Sequence, residues 1–141
     1  MHYGQLLLGS LAGTFVFFLY GFLVNGMLIG KHYQPYGTVY RPADQVMKYF
    51  PLGIAGTFLA IVAMSVILAK AFPAGADFHD ALHFGALVGV IMTFTHVVDN
   101  YVTLNIGRKL AVEMAVASFF QWVLVCIAIG HFHQPAITAA G

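Results

Sequence analysis

Long runs of apolar residues, separated by short polar stretches, dominate the chain. A bilayer hydrocarbon core of about 30 Å needs roughly 20 apolar residues in a helix. Four runs reach that length, at about residues 5–30, 51–72, 81–104 and 110–130. Strands of a β-barrel would instead show short segments of alternating polarity, and short connections favour antiparallel neighbours. The pattern therefore predicts an all-α fold, with one transmembrane domain over residues 1–141 built as a four-helix up-down bundle.

The connection between the first two runs, residues 31–50, leaves two structures open. It contains tyrosines that suit the headgroup region of a bilayer, namely Tyr33, Tyr36, Tyr40 and Tyr49. The segment Arg41-Pro42-Ala43-Asp44 is typical of a helix start with Pro at the first position. The residues after it either lie along the interface as part of a cytoplasmic loop, or extend the second span outward with a kink at Pro51.

Composition narrows the class of protein. Hydrophobic residues make up 60% of the chain and charged residues 8%, against roughly 45–50% and roughly 25% in soluble domains. The formal net charge of +1 provides no basic surface for a nucleic acid. Cys126 is the single cysteine, so there is no intrachain disulfide and no CxxC pair. These values exclude a soluble enzyme and a nucleic-acid-binding protein, and they leave the lipid bilayer and other membrane proteins as partners.

Basic residues are concentrated in two of the three connections. The first connection holds Lys31, Arg41 and Lys48, the third holds Arg108 and Lys109, and the second has only Lys70. By the positive-inside rule, the first and third connections are cytoplasmic and both termini lie outside the cytoplasm. The first run lacks a basic segment before it and exceeds the length of a signal-peptide core, so we expect it to be retained as a span. The predicted location is a bacterial inner membrane.

Glycines at four-residue spacing predict where helices pack closely. The pairs are Gly9 and Gly13, Gly26 and Gly30, and Gly85 and Gly89. Small residues allow helix backbones to approach in lipid, where no hydrophobic effect drives helices together. The spacing leaves open whether these glycines pack within the bundle or against other subunits.

A group of polar residues falls within the predicted spans, towards the cytoplasmic side. Counting outward from Gly107 along the hairpin of the third and fourth spans brings the members on those spans to similar depths, and Asn25, six residues before Lys31 on the first span, falls near the same level. The predicted intramembrane polar cluster is Asn25, His96, Asp99, Asn100 and Glu113. An ionised Asp at the centre of a membrane helix costs about 2.5–3.5 kcal/mol, so it is expected to have a partner. The cluster is either a hydrogen-bonded group that fixes helix register, or a proton or ion relay in which His96 titrates beside a carboxylate.

Histidines mark the opposite side of the predicted bundle. His79 and His83 are four residues apart at the start of the third span, and His131 and His133 end the fourth. Imidazole binds zinc, copper, nickel and iron, and histidines from facing helices also ligate b-type haem or the magnesium of chlorophyll. The sequence HDxxH lacks the Glu of the HExxH zinc motif. These four histidines are therefore either metal or cofactor ligands, or ordinary interfacial residues.

Two glycine-rich segments resemble a known group of proteins. They are Tyr20-Gly21-Phe22 with Gly26-Met27-Leu28-Ile29-Gly30-Lys31, and Gly85-x-x-x-Gly89 with His96 and Asn100-Tyr101. In this layout the chain resembles the small four-span bacterial membrane proteins grouped as domains of unknown function. The resemblance covers most of the chain and implies no activity.

Function is left with three hypotheses. No nucleophile–base pair and no phosphate-binding loop occurs in the sequence, which favours a protein that is not an enzyme. The first hypothesis is a non-catalytic accessory or scaffold subunit of a larger membrane complex of respiratory or photosynthetic type. The second is a metal- or haem-binding protein that uses the outer histidines. The third is a small proton or ion transporter that uses the intramembrane polar cluster.

Overall fold

A computed structural model describes residues 3–134, and this part of the chain is helical without any strand. Four helices are long and apolar enough to span a membrane, as the apolar runs predict: Tyr3–Leu28, Ala43–Ala71, Phe78–Thr103 and Arg108–His131. The charge pattern also predicts on which side of the membrane the two termini lie. The terminal residues themselves are outside the described part of the chain.

Two of the long helices are irregular. The first comprises α1 (Tyr3–Tyr20) and a π-helical stretch, the first π segment (Gly21–Leu28). A short α2 (Gly30–Tyr33) and a 3₁₀ turn (Gln34–Tyr36) follow. The remaining elements are α3 (Ala43–Ala71), α4 (Phe78–Met92), the second π segment (Thr93–Val98), α5 (Asp99–Thr103) and α6 (Arg108–His131).

Residues 43–50 belong to α3, so this segment extends the second span outward and does not form a separate interfacial loop. Pro42 is the N-cap residue and Asp44 lies in the first turn, where a negative charge is favourable. The Arg41 guanidinium stacks over the ring of Tyr49 at 4.3 Å from its centroid, which holds the chain against the new helix. Pro51 lies inside α3 and removes one backbone donor without ending the helix.

The start of α4 is fixed by a capping box. The backbone N–H of Asp80 donates to Asp77 Oδ1 at 2.8 Å, and the backbone N–H of Asp77 donates to Asp80 Oδ2 at 3.2 Å. Gly75 has a φ of 106°, which allows the tight turn from α3 into this cap. Both carboxylates beside the outer histidines are therefore used by the helix start.

Helix α6 is the centre of the fold, because it packs against α4 and α1 and buries more residues than any other helix. Helix α3 packs mainly on α1, through its second half. The core contains the fully buried residues Ile61, Leu68, Val125, Cys126 and Ile129.

Four of the six predicted packing glycines lie against α6. A Cβ at Gly85 would be 3.0 Å from Cys126 Cβ and 3.1 Å from the backbone of Val123, and one at Gly89 would be 3.0 Å from the Phe119 carbonyl oxygen. Gly9 and Gly13 meet Ile129 of α6 in the same way. These glycines seat α6 between α1 and α4, so the surfaces that they form are used within this chain.

The other predicted pair does not form such a contact. The atom nearest to a Cβ at Gly26 belongs to Phe22 of the same helix, at 3.9 Å, and Gly26 is exposed. Gly30 faces the carbonyl oxygen of Asn25, also in its own segment. Four-residue spacing alone therefore does not distinguish a glycine at a helix crossing from one on an open face.

Contacts between connections define the two ends of the structure. The backbone N–H of Gly107 donates to the Tyr36 hydroxyl at 3.0 Å, which places the first connection beside the third. At the other end, the backbone N–H of Ala76 donates to the His133 carbonyl at 2.7 Å. The second connection therefore lies beside the end of α6.

Candidate functional site

A cavity of about 890 Å³ lies between the two π segments, α6 and the start of α3; we call it the central cavity. Most of its lining is aromatic or methionine, including Phe17, Trp122 and Met92. Polar side chains from several elements also reach it: Asn25, Tyr33, Thr95, His96, Ser118 and Gln121.

A side-chain hydrogen bond from α6 accounts for the first π segment. The buried Gln121 amide donates its Nε2–H to the Phe17 carbonyl at 2.8 Å, one turn before the segment begins. A donor inserted at a helix carbonyl disturbs the regular ladder of backbone hydrogen bonds. Gly21 allows this close approach, because a Cβ there would lie 3.3 Å from Gln121 Nε2.

The second π segment contains a hydrogen bond within its own helix. Thr95 Oγ1 donates to the Ile91 carbonyl at 2.7 Å, a bond to the preceding turn that bends helices. The segment presents Thr95, His96 and Val97 to the central cavity, opposite Gly21, Phe22 and Asn25 of the first π segment. Because π-helical stretches are rare and are frequent at functional sites, two that face one cavity mark it as the candidate site.

The five residues of the predicted polar cluster are not brought together. Asn25 and His96 both line the central cavity, and Asn100 Nδ2 lies 3.4 Å from His96 Nε2. The Asp99 side chain is exposed and forms none of the side-chain hydrogen bonds or ion pairs found within residues 3–134. The second π segment changes the angular position of every residue after it, so a helix face drawn from regular α-helical spacing does not continue past Val98.

Glu113 has a different partner, His32, which sequence reasoning missed. His32 Nδ1 and Glu113 Oε2 are 2.6 Å apart, and Lys109 Nζ lies 3.9 Å from Glu113 Oε1. The pair joins α2 to the second turn of α6, beside a smaller cavity of about 420 Å³. A signal was present in the sequence, because His32 directly follows the first apolar run and Glu113 begins the fourth, at the same predicted end.

Tyrosines pack together at the end of the structure where the first and third connections meet. The rings of Tyr33 and Tyr40 pack edge to face, with their centroids 5.3 Å apart. Burial raises the pKa of the Tyr33 hydroxyl above its usual value, and the nearby Tyr40 and Glu113 raise it further. Tyr33 therefore lines the central cavity as a neutral hydrogen-bonding group.

The outer histidines do not assemble a three-ligand metal site. His79, His83 and His131 are exposed, and His133 Nδ1 lies 3.1 Å from the carbonyl oxygen of Ile129. In the described part of the chain, no group of three or more His, Cys, Asp or Glu side chains is placed to hold a metal ion. Two-histidine ligation of a haem or a chlorophyll at this end stays a prediction.

Comparisons of the chain with protein-family models, with curated proteins and with solved structures find no match. The resemblance to small four-span bacterial membrane proteins stays an expectation from the residues. Function is therefore argued from the geometry of the chain itself.

Proposed function

We propose that the chain is an integral protein of the bacterial inner membrane, whose helices cross the bilayer in alternating directions as an up-down bundle. Support comes from the four long apolar helices and from the contacts that pair the first connection with the third and the second with the end of α6. Lys31 and Arg41 lie at the same end as Arg108 and Lys109. The positive-inside rule then assigns that end to the cytoplasm.

Within this membrane setting, the protein is a non-catalytic accessory subunit that binds a larger membrane complex through the first half of α3. The observation that carries the proposal is the exposure of every residue from 41 to 56. Residues 43–56 form about 21 Å of helix whose residues are all exposed, with the Phe50 ring packed against Phe18 of α1 at 5.8 Å. The second half of the same helix is anchored by Ile61, Ser65 and Leu68.

Exposed apolar side chains alone do not indicate a partner in a membrane, because lipid is as apolar as leucine. The uncovered half of α3 also carries Gly53 and Gly56, and no atom lies within 4 Å of a Cβ built at either position. Elsewhere in this chain, Gly9, Gly13, Gly85 and Gly89 each contact a neighbouring helix. Pro51 further weakens the backbone ladder of this half, so a neighbouring helix would stabilise it. The surface of α3 over residues 43–56 is thus suited to a transmembrane helix of another polypeptide.

The other two hypotheses have less support. An ion or proton relay through the polar cluster requires its carboxylates to face a common path, but Asp99 is exposed and Glu113 pairs with His32. A metal site at the outer histidines would need ligands beyond those that the described residues bring together.

Photocrosslinking in native membranes tests the accessory role. A photoreactive phenylalanine replaces Leu52, which is 73% exposed on the uncovered half of α3, or Leu87, which is 66% exposed on α4 and serves as the control. We expect the position-52 probe to capture one distinct polypeptide, which also co-purifies with the wild-type chain. The position-87 probe should capture only lipid. Gly56→Leu should abolish both the crosslink and the co-purification.

Two results would overturn the accessory role. One is lipid adducts alone at both positions, which would mean that α3 faces the bilayer. The other is a crosslinked product that contains two copies of this chain, which would make the surface a homodimer interface.

A further inference from the structure

We infer that the central cavity binds a neutral, lipid-soluble molecule that carries a flat ring and hydrogen-bonding oxygen atoms. The inference does not rest on the accessory role, because the two π segments and α6 supply most of the lining and Phe50 is the one residue of α3 in it. Its volume of about 890 Å³ falls within the range of about 300–1,000 Å³ that is usual for small-molecule sites. Its lining residues Phe22, Thr95 and His96 are exposed, so the cavity opens at the protein surface, where a molecule dissolved in the lipid can enter.

The outer part of the cavity is suited to a ring. Trp122 packs on Phe17 with ring centroids 5.2 Å apart, and Phe18 meets Phe50 of α3 at 5.8 Å. All four aromatic rings line the cavity. Aromatic faces favour an offset-stacked or edge-on aromatic partner over a flexible acyl chain.

The inner part of the cavity carries polar side chains. Asn25 and His96 reach it from the facing π segments, and Ser118 reaches it from α6. The Asn25 amide and the Ser118 hydroxyl form no side-chain hydrogen bond with any residue between 3 and 134 that the structure describes. An amide or hydroxyl in apolar surroundings is costly without a hydrogen-bond partner. Oxygen atoms of a bound molecule would satisfy both groups.

Charge excludes the other common classes of lipid ligand. No Asp, Glu, Lys or Arg lines the central cavity among the described residues. A phosphate or carboxylate inside the cavity would therefore have no Lys or Arg side chain beside it, which is unfavourable. The nearby Glu113 is paired with His32 and is not part of the lining.

Trp122 provides the assay, because it is the single tryptophan of the chain and lines the cavity. The full-length protein in lipid nanodiscs is titrated with menadione, a flat neutral diketone, and Trp122 fluorescence is recorded. Naphthalene, which lacks the oxygens, and 2-naphthoate, which is anionic, are titrated in parallel. We expect saturable quenching by menadione, with an apparent affinity about tenfold higher than for either comparison probe, because hydrogen bonds to Asn25 and Ser118 favour the diketone.

Three variants separate binding from partition into lipid. Ser118→Phe fills the cavity and should abolish the saturable phase, whereas Leu124→Phe, on an exposed position of α6 outside the cavity, should leave it unchanged. Asn25→Leu should weaken menadione binding about tenfold and leave naphthalene unaffected. Far-UV circular dichroism checks that each variant folds.

The outcomes that overturn the inference are distinct. Quenching that rises linearly with menadione and is equal in wild type and Ser118→Phe would mean that the probe only dissolves in lipid. Saturable binding of 2-naphthoate in preference to menadione would refute the neutral ligand class. Equal affinities for menadione in wild type and Asn25→Leu would refute the role of the inner polar groups.

Discussion

The close approach of α4 and α6 at Gly89 makes a quantitative prediction for Gly89→Ala. The new Cβ would lie 2.9 Å from Phe119 Cδ2 and 3.0 Å from the Phe119 carbonyl oxygen. The ring can rotate away, but the backbone oxygen cannot. Because an ordinary contact of this kind begins near 3.4 Å, the two helices must separate by roughly 0.4 Å. Gly85 lies on the same interface, so the separation is transmitted along it.

The expected cost follows from two opposing effects. Inserting a methyl group into a packed interface costs about 1–3 kcal/mol, and Ala gains up to about 1 kcal/mol over Gly in helix propensity. The net loss in the free energy of unfolding is about 1–2 kcal/mol. Gly53→Ala is the matched control, because no atom lies within 4 Å of its Cβ position, so only the propensity gain applies. The two variants should therefore change stability in opposite directions.

Cys126 reports the opening of this interface. It is the single cysteine, is fully buried, and its Cβ lies 3.0 Å from a Cβ built at Gly85. In detergent micelles, the rate of maleimide labelling measures the fraction of time that the α4–α6 contact is open. We expect Gly89→Ala to label about 5–30 times faster than wild type, and Gly53→Ala to label no faster. The close packing of these helices would be refuted if Gly89→Ala labelled at the same rate as wild type, or if Gly53→Ala labelled faster than wild type.

Three further substitutions test individual contacts by thermal unfolding in detergent. Tyr36→Phe should lower the free energy of unfolding by about 1–2 kcal/mol, because it removes the hydrogen-bond acceptor that joins the first and third connections. Tyr40→Phe is the control and should leave stability nearly unchanged, because the hydrogen bond found for the Tyr40 hydroxyl is a weak one to the Met114 sulfur at 3.9 Å. Asp77→Ala removes the cap of α4 and should cost about 1 kcal/mol, and an unchanged midpoint would argue against the capping box. Glu113→Gln should lower the unfolding midpoint more than Lys109→Gln, because the contact of Glu113 with His32 at 2.6 Å is much shorter than its contact with Lys109 at 3.9 Å. The reverse order would contradict the assignment of His32 as the main partner of Glu113.

The long helices could be predicted from sequence because each apolar run is long enough to cross a bilayer. The contacts of Gly85 and Gly89 were also within reach, since small residues at this spacing favour close helix packing. The cap of α4 could also be predicted from sequence, because Asp77 and Asp80 have the three-residue spacing of a capping box. In each case the cause is local or depends only on length and residue size.

The central cavity could not be predicted, because it depends on a departure from regular geometry. Counting by 3.6 residues per turn assumes an uninterrupted α-helix, and two of the long helices that line the cavity change to π-helix beside it. The cause of the first change is the bond from Gln121 to the Phe17 carbonyl, between residues far apart in the chain. The partnership of His32 with Glu113 depends in the same way on how a short connection folds back over α6.

The central claim, that the four helices cross a membrane in alternating directions, is tested most directly by cysteine accessibility. Single cysteines replace exposed residues of the three connections and the end of α6 in a Cys126→Ser background: Thr38, Ala74, Asn105 and Gln134. In spheroplasts, a membrane-impermeant maleimide should label the cysteines at positions 74 and 134, and those at 38 and 105 only after permeabilisation. Labelling of positions 38 and 74 from the same side of the membrane would contradict the account.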